Sequence, residues 1–175
     1  MRSKIIRLLF IPTLLWNIFL GRLLKMRNWW DAIEDSPILL GALPLPRDIP
    51  LLKANGVTGV INMCIEYRGP NAAYQTAGIE QLWLPTVDFT PPTLVDIQRA
   101  MDFIDKHHAH EGKVYVHCKA GRGRSATVAL CWLMYRRGLT PEQAAVYLAE
   151  QRPHINRNLA DRAVVRIFHR SLSDT

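Results

Sequence analysis

The stretch Val114-Tyr115-Val116-His117-Cys118-Lys119-Ala120-Gly121-Arg122-Gly123-Arg124-Ser125 decides how this chain is read. Residues 114–116 are β-branched and aromatic, the composition of a short strand. A helical run follows over about 125–137, with Gly138 as its stop. Between them lies a segment loosened by Gly121 and Gly123. Strand, tight loop and helix in that order are the unit of an α/β fold, and the flanking sequence agrees. Upstream, residues 38–40 form an apolar strand candidate ended by Gly41, Pro44 and Pro46. Residues 47–55 are short and helical in pattern, and 57–63 and 79–84 are further strands. Thr93 caps a helix whose apolar positions are Leu94, Ile97, Met101 and Ile104. Downstream, Thr140-Pro141-Glu142-Gln143 is a capping box with proline at the first helical position. A last amphipathic helix begins at about Leu159 and carries Ala163, Val164, Ile167 and Phe168. The expected architecture is one α/β domain with a central sheet covered on both sides.

The bulk composition agrees with a single globular domain. The chain has 175 residues, 49% hydrophobic and 21% charged, which is enough apolar material for one sizeable core. Its net charge of +7 is unevenly spread. Arg2, Lys4, Arg7, Arg22, Lys25 and Arg27 fall in the first 30 residues with no acid among them, leaving the remainder nearly neutral. A basic groove across the domain is therefore not expected, and nucleic acid is not an expected partner. The three cysteines, Cys64, Cys118 and Cys131, have no CxxC spacing and read as free thiols in a reducing compartment. Cys131 sits in an apolar run and reads as a buried hydrophobe.

The leading residues 1–27 are read as a separate basic, apolar segment, and 28–175 as the folded domain. Residues 8–20 are apolar but interrupted by Pro12 and Asn17, too short a run for the roughly 20 residues that cross a bilayer. No small-residue cleavage site marks a secretory signal, and Ser3 alone is little serine for a transit peptide. Bulky apolar residues with Trp16, Trp29 and Trp30 beside basic groups fit a segment that lies on an anionic membrane surface. The alternative is a helix that packs on the domain.

The chemistry lies in Cys118, five residues, then Arg124, between a strand and a helix start. Glycine-freed backbone there can turn successive N–H groups inward as an anion nest, and the helix N-terminus adds its own unpaired N–H groups and dipole. Arg124 supplies a planar fork for two phosphate oxygens. A cysteine in that field is driven toward thiolate at neutral pH. Competing readings fail on spacing. Gly121-Arg122-Gly123-Arg124-Ser125-Ala126 satisfies a dinucleotide fingerprint, but the acid near the required distance, Glu142, sits in a Pro-initiated helix rather than after a second strand. A nucleotide phosphate loop needs Gly-Lys-Ser/Thr, which is absent. His107, His108 and His110 end a helix, where cations are favoured, and lack the partners of a metal site. No metal and no cofactor are expected.

The motif His117-Cys118-x5-Arg124-Ser125 resembles the signature of the protein-tyrosine phosphatase superfamily, in its short dual-specificity branch. Asn28-Trp29-Trp30-Asp31, Leu40-Gly41-Ala42-Leu43-Pro44-Leu45, Thr86-Val87-Asp88 and 117–122 are similar to the mitochondrial phosphatases that act on phosphatidylglycerophosphate. That resemblance, over about residues 28–170, implies a dual-specificity-phosphatase-like domain with a central mixed sheet flanked by helices. It implies that Cys118 attacks phosphorus, that Arg124 and the loop residues Ala120, Gly121 and Gly123 hold the phosphoryl group, and that Asp88 is the general acid. Asp96 and Asp102 also precede the cysteine but fall in a helical pattern. Ser125 would hydrogen-bond the thiolate and His117 would orient the loop from behind. Lys119 and Arg122 would meet a second anionic group. The family's substrate loop carries two adjacent glutamates before a tyrosine; here Ile65 replaces one, while Glu66 and Tyr67 remain as substrate-binding candidates. The implied substrate is an anionic phospholipid monophosphate, with a dual-specificity protein phosphatase acting on phosphoprotein as the alternative. The expected location is a membrane: the mitochondrial inner membrane in a eukaryote, the cytoplasmic face of the inner membrane in a bacterium.

Overall fold

The computed structural model describes residues 12–16 and 27–173. Most of the basic leading segment, 1–27, lies outside the described residues. Five strands form one sheet: β1 (Trp30–Ala32), β2 (Ile38–Gly41), β3 (Val57–Cys64), β4 (Glu80–Thr86) and β5 (Lys113–His117). Their spatial order is β1-β2-β5-β3-β4. β1 runs antiparallel to β2, and the other pairs are parallel, so the sheet is mixed, as expected. The α-helices among and after the strands are α1 (Ile49–Ala54), α2 (Asn71–Ala77), α3 (Leu94–His108), α4 (Arg124–Arg137), α5 (Pro141–Gln151) and α6 (Ala163–Ser173), and residues 12–16 are also helical.

The sheet is buried on both faces because alternate side chains point to opposite sides. In β5, Val114 and Val116 enter the larger core with Ile38, Leu40, Ile61 and Met63, while Tyr115 enters the smaller one with Leu39, Val60 and Tyr74. Helices α3 to α6 cover the first face, and α1 and α2 contribute Ile49, Leu52 and Tyr74 to the second. Helix α4 is buried continuously from Arg124 to Met134. That placement fixes its N-terminus at the end of the central strand β5.

Several boundaries differ from the sequence reading. Strand β1 and helix α2 carry no strong periodic signal: β1 is three residues long, and α2 buries only Tyr74. The helical stretch read over 47–55 begins as a 3-10 turn at Pro46–Asp48 and becomes α-helical only at Ile49. The last helix starts at Ala163 rather than Leu159, and it buries Val165 and Phe168 while Ile167 faces solvent. Leu159 is fully buried in the preceding loop, so its apolar character marks core without helix. The two capped helices stand as read: Thr93 accepts from Asp96 N, and the Thr140 box with Gln143 is formed.

The end of β2 abuts the loop after β5. Tyr115 Oη donates to Ala42 O at 2.5 Å, and its ring lies over Gly41. A methyl group at Gly41 would lie 2.1 Å from Tyr115 Oη, so the aromatic ring would have to leave its seat. Gly41→Ala should therefore lower unfolding free energy by about 1–3 kcal/mol, measured as a lower urea midpoint with an unchanged slope.

Candidate active site

Three parallel strands end on one side of the sheet, and each delivers a part of the site. β5 ends at His117, and the loop to Arg124 follows; β3 ends before Glu66; β4 ends before Asp88. This is the side on which parallel sheets leave a crevice, at the carboxyl ends of their strands.

The loop is closed by backbone geometry that the glycines permit. Gly121 has φ +68°, in the left-handed region, and a side chain there would meet the Gly41 carbonyl at 2.5 Å. From below, Arg152 holds the curl. It is fully buried, donates through Nε to Gly121 O at 2.9 Å and through Nη2 to Ala120 O at 3.4 Å, and pairs with Asp31. His117 is fully buried and stacks on Tyr115, with Nδ1 3.4 Å from Cys118 O. Burial lowers the His117 pKa to about 3, so the ring is neutral and its Nδ1–H can donate to that carbonyl.

Cys118 lies at the bottom of the loop, 4% exposed. Burial alone would push its thiol up. The Arg124 charge, the Ser125 hydroxyl 3.3 Å away, and the Ser125 and Arg122 amides outweigh that, and bring the pKa down to about 7. By contrast, burial raises Cys131 with nothing to offset it, and raises Cys64 despite the Arg124 charge. Only Cys118 of the three is poised as a nucleophile at neutral pH.

Arg124 is held by one edge of its guanidinium. Nη1 donates to Thr86 O at 2.7 Å and Met63 O at 3.3 Å, and meets Glu66 Oε2 at 3.2 Å. Nη2 lies 3.0 Å from Asp88 Oδ1, outside hydrogen-bond geometry. Nε and Nη2 are buried with no hydrogen-bond acceptor among the described residues. A guanidinium fixed through Nη1 whose Nε and Nη2 make no hydrogen bond is the shape that grips two oxygens of a tetrahedral anion.

Asp88 faces the same space, and Lys119 forms a close ion pair with its Oδ2. The residue after it, Phe89, has φ +63° and is 82% exposed, with its backbone N–H donating to Asp88 Oδ1 at 3.1 Å. An aromatic residue in the left-handed region is strained backbone, and the turn it makes aims the carboxylate inward. The cavity over Cys118 has a volume of about 490 Å³ and is lined by Asp88, Lys119, Ala120, Arg122, Gly123 and Arg124, with Phe89, Thr13 and Trp16 among the remaining lining residues.

Of the sequence candidates, Cys118, Arg124, Asp88, Ser125, Lys119, Ala120, Arg122 and Gly123 thus converge, while Gly121 shapes the loop from outside the cavity. Glu66 and Tyr67 are placed otherwise. Glu66 sits behind Arg124 with its side chain 3% exposed, and Tyr67 donates to Pro44 O at 3.3 Å; neither lines the cavity. Glu66 instead pairs with Arg124, and Tyr67 packs against the larger core. The sequence reading did not single out Arg152, Asn156 or Arg162. The local signal was present, since 152–162 holds three arginines beside two asparagines, but nothing in the spacing said that they fold back onto the loop. Among the described residues, no group of three or more histidines, cysteines and acids is placed to hold a metal ion.

This fold and site define a cysteine-dependent phosphatase. Residues 39–169 match the dual specificity phosphatase catalytic domain, and the chain belongs to that family. It is 41% identical to the phosphatidylglycerophosphate phosphatase PTPMT2 of Arabidopsis thaliana, over 94% of this chain and 73% of that one. It is 38% identical to the mouse protein phosphatidylglycerophosphatase and protein-tyrosine phosphatase 1, over 99% of this chain and 94% of that one. Its structure is similar to that of PTPMT1 in complex with PI(5)P, with TM-score 0.75 and 35% identity over 84% of this chain and 98% of that one.

The charge balance at Cys118 has a kinetic consequence. kcat/KM should rise with pH through a midpoint near 7 as the thiolate forms. Ser125→Ala removes one donor to the thiolate and should move that midpoint up by about one pH unit, read from the pH profile on p-nitrophenyl phosphate. An unmoved midpoint would remove Ser125 from the set of groups that tune the thiol.

Proposed function

We propose that this chain hydrolyses phosphatidylglycerophosphate to phosphatidylglycerol at a membrane surface, through a phosphocysteine intermediate. The observation that carries the chemistry is the Arg124 guanidinium, anchored through Nη1 with Nε and Nη2 making no hydrogen bond among the described residues, beside the low-pKa Cys118. The Cys118 thiolate attacks phosphorus and the P–O bond to the glycerol oxygen breaks. Asp88 gives that oxygen its proton, so the lipid leaves as an alcohol. Arg124 and the loop amides hold the equatorial oxygens and take up charge in both steps. Water then attacks the phosphocysteine, with Asp88 as its base, and the S–P bond breaks to release inorganic phosphate. Ser125 stabilises the returning thiolate. Before substrate arrives, Lys119 and Arg124 hold Asp88 over the cavity; a bound phosphate takes Arg124 Nε and Nη2 in place of Asp88 and leaves the carboxyl group beside the leaving oxygen.

Support for the lipid is of two kinds. The relatives from Arabidopsis and mouse carry phosphatidylglycerophosphate in their names, and the PTPMT1 structure holds PI(5)P, another phospholipid monophosphate. The cavity mouth is also suited to an interface. Phe89 projects at its rim, and in the helical segment 12–16 Leu15 and Trp16 are 59% and 60% exposed. Leu14 meanwhile packs against the core and Thr13 accepts from Lys119 Nζ at 3.0 Å. In this reading the helical segment 12–16 rests on the domain, and its exposed Leu15 and Trp16 enter the head-group region together with the apolar rim. No helix among the described residues is long and apolar enough to cross a membrane. A mitochondrial membrane is the location that fits the PTPMT1-type relatives, and nothing among those relatives supports the bacterial alternative.

A second reading, phosphotyrosine or phosphoserine/threonine hydrolysis, is favoured by the mouse relative's name, which joins both activities. Phosphate release from phosphatidylglycerophosphate vesicles and from phosphotyrosine peptides decides between them, with Cys118→Ser as the inactive control. The lipid should be preferred by at least about tenfold in kcat/KM, and a peptide preference would overturn the assignment. Asp88→Ala should cost about 10²- to 10⁴-fold on the lipid, whose glycerol oxygen needs a proton to leave. Its cost on p-nitrophenyl phosphate, a good leaving group, should be far smaller; equal losses would remove Asp88 as the acid.

A further inference from the structure

Past the catalytic loop, the segment after α5 returns to the cavity and brings polar groups that the reaction above does not use. Ile155 is buried and anchors this segment, and Asn156 N donates to Arg122 O at 2.9 Å. Arg122 Nε in turn donates to His154 O at 2.7 Å, so loop and segment are tied in both directions. Arg162 Nη1 donates to Thr127 Oγ1 at 2.6 Å and to Gly123 O at 3.3 Å, which fixes its guanidinium against the start of α4. All three side chains line the cavity over Cys118.

Donors of Asn156 and Arg162 face one place, with Arg122 lining the same cavity. A methyl group at Gly123 would lie 3.0 Å from Asn156 Nδ2 and 3.4 Å from Arg162 Nη2, so both groups approach the open face of that glycine. The Asn156 amide makes no side-chain hydrogen bond among the described residues, and neither Arg162 nor Arg122 has a carboxylate partner there. The nearby acid Asp161 pairs with Arg166 instead. The contrast with the rest of the site is sharp in charge terms. Asp88 is matched by Lys119 and Arg124, and Glu66 by Arg124, whereas Arg122 and Arg162 stay uncompensated. Two held cations and an amide donor beside a phosphate loop form a site for a second anionic group.

We propose that Arg162 and Asn156, together with Arg122, form a second anion subsite that takes the phosphodiester of a glycerophospholipid whose terminal phosphomonoester occupies the Cys118 loop. The inference rests on the lipid reading above and gives it a specificity element. A glycerol-linked bisphosphate headgroup carries one monoester and one diester separated by a three-carbon bridge, and the two anion sites adjoin across Gly123. Simple phosphomonoesters fill only the first.

The test is the ratio of kcat/KM for phosphatidylglycerophosphate in vesicles to that for p-nitrophenyl phosphate. Arg162→Gln should lower this ratio about tenfold, mostly through KM, and Arg162→Lys should restore part of it. Because Arg162 also braces Gly123 O, its loss alone could weaken both substrates together. Asn156→Ala separates the roles, since its tie to the loop is made by the backbone, and it should lower the ratio about threefold. A ratio unchanged in both Arg162→Gln and Asn156→Ala overturns the subsite while leaving the lipid reading intact. A loss that falls instead on a phosphotyrosine peptide with acidic neighbours, sparing the lipid, assigns the subsite to protein recognition and overturns the proposal. Wild-type protein that fails on the lipid but cleaves the peptide overturns both, and is recognised without any variant.

Discussion

The structure depends on one electrostatic balance: a buried cysteine kept close to ionisation by an equally buried arginine. Burial opposes the Cys118 thiolate, and only the Arg124 charge with the loop donors reverses the sign. Arg124 is itself 2% exposed, and it stays there because strand ends supply acceptors for it, Thr86 O from β4 and Met63 O from β3. An unpaired buried guanidinium would be too costly to keep. The sheet therefore does more than carry the loop. In the mechanism proposed above, its carboxyl ends solvate the cation that activates the nucleophile, and the edge of that cation that makes no hydrogen bond receives phosphate.

The loop also needs support from outside the strand–helix unit. Arg152, from the end of α5, donates to the carbonyls of Ala120 and Gly121, and Gly121 leaves room for the Gly41 backbone. Carbonyls turned outward to these partners are the counterpart of amides turned inward toward the anion. β2 and the segment after α5 are thus part of the same device, though neither contributes a reacting atom.

These relations explain what was legible in the sequence. The strand, glycines and helix around Cys118 are contiguous, so their meaning survives without tertiary information, and the capped helices at Thr93 and Thr140 announce themselves by side-chain chemistry. β1 and α2 are short and make few periodic contacts, so pattern alone could not show them. Asp88 was reachable only because the likeness at Thr86-Val87-Asp88 supplied its partner. Glu66 and Tyr67 were read as substrate contacts from their likeness to the family's substrate loop; in the fold, Glu66 pairs with Arg124. Arg152, Asn156 and Arg162 were missed because only the return of the chain after α5 brings them to the loop.

The central claim is most directly tested by titrating the Cys118 thiol itself. Cys64 and Cys131 are both raised, so ultraviolet absorbance of thiolate appearing near neutral pH reports Cys118 alone. The account predicts a midpoint near 7 in the wild-type protein, and in Arg124→Met a midpoint at or above the ordinary thiol value of 9.0. A wild-type midpoint near 9.0, or one that does not move when Arg124 is replaced, would contradict it.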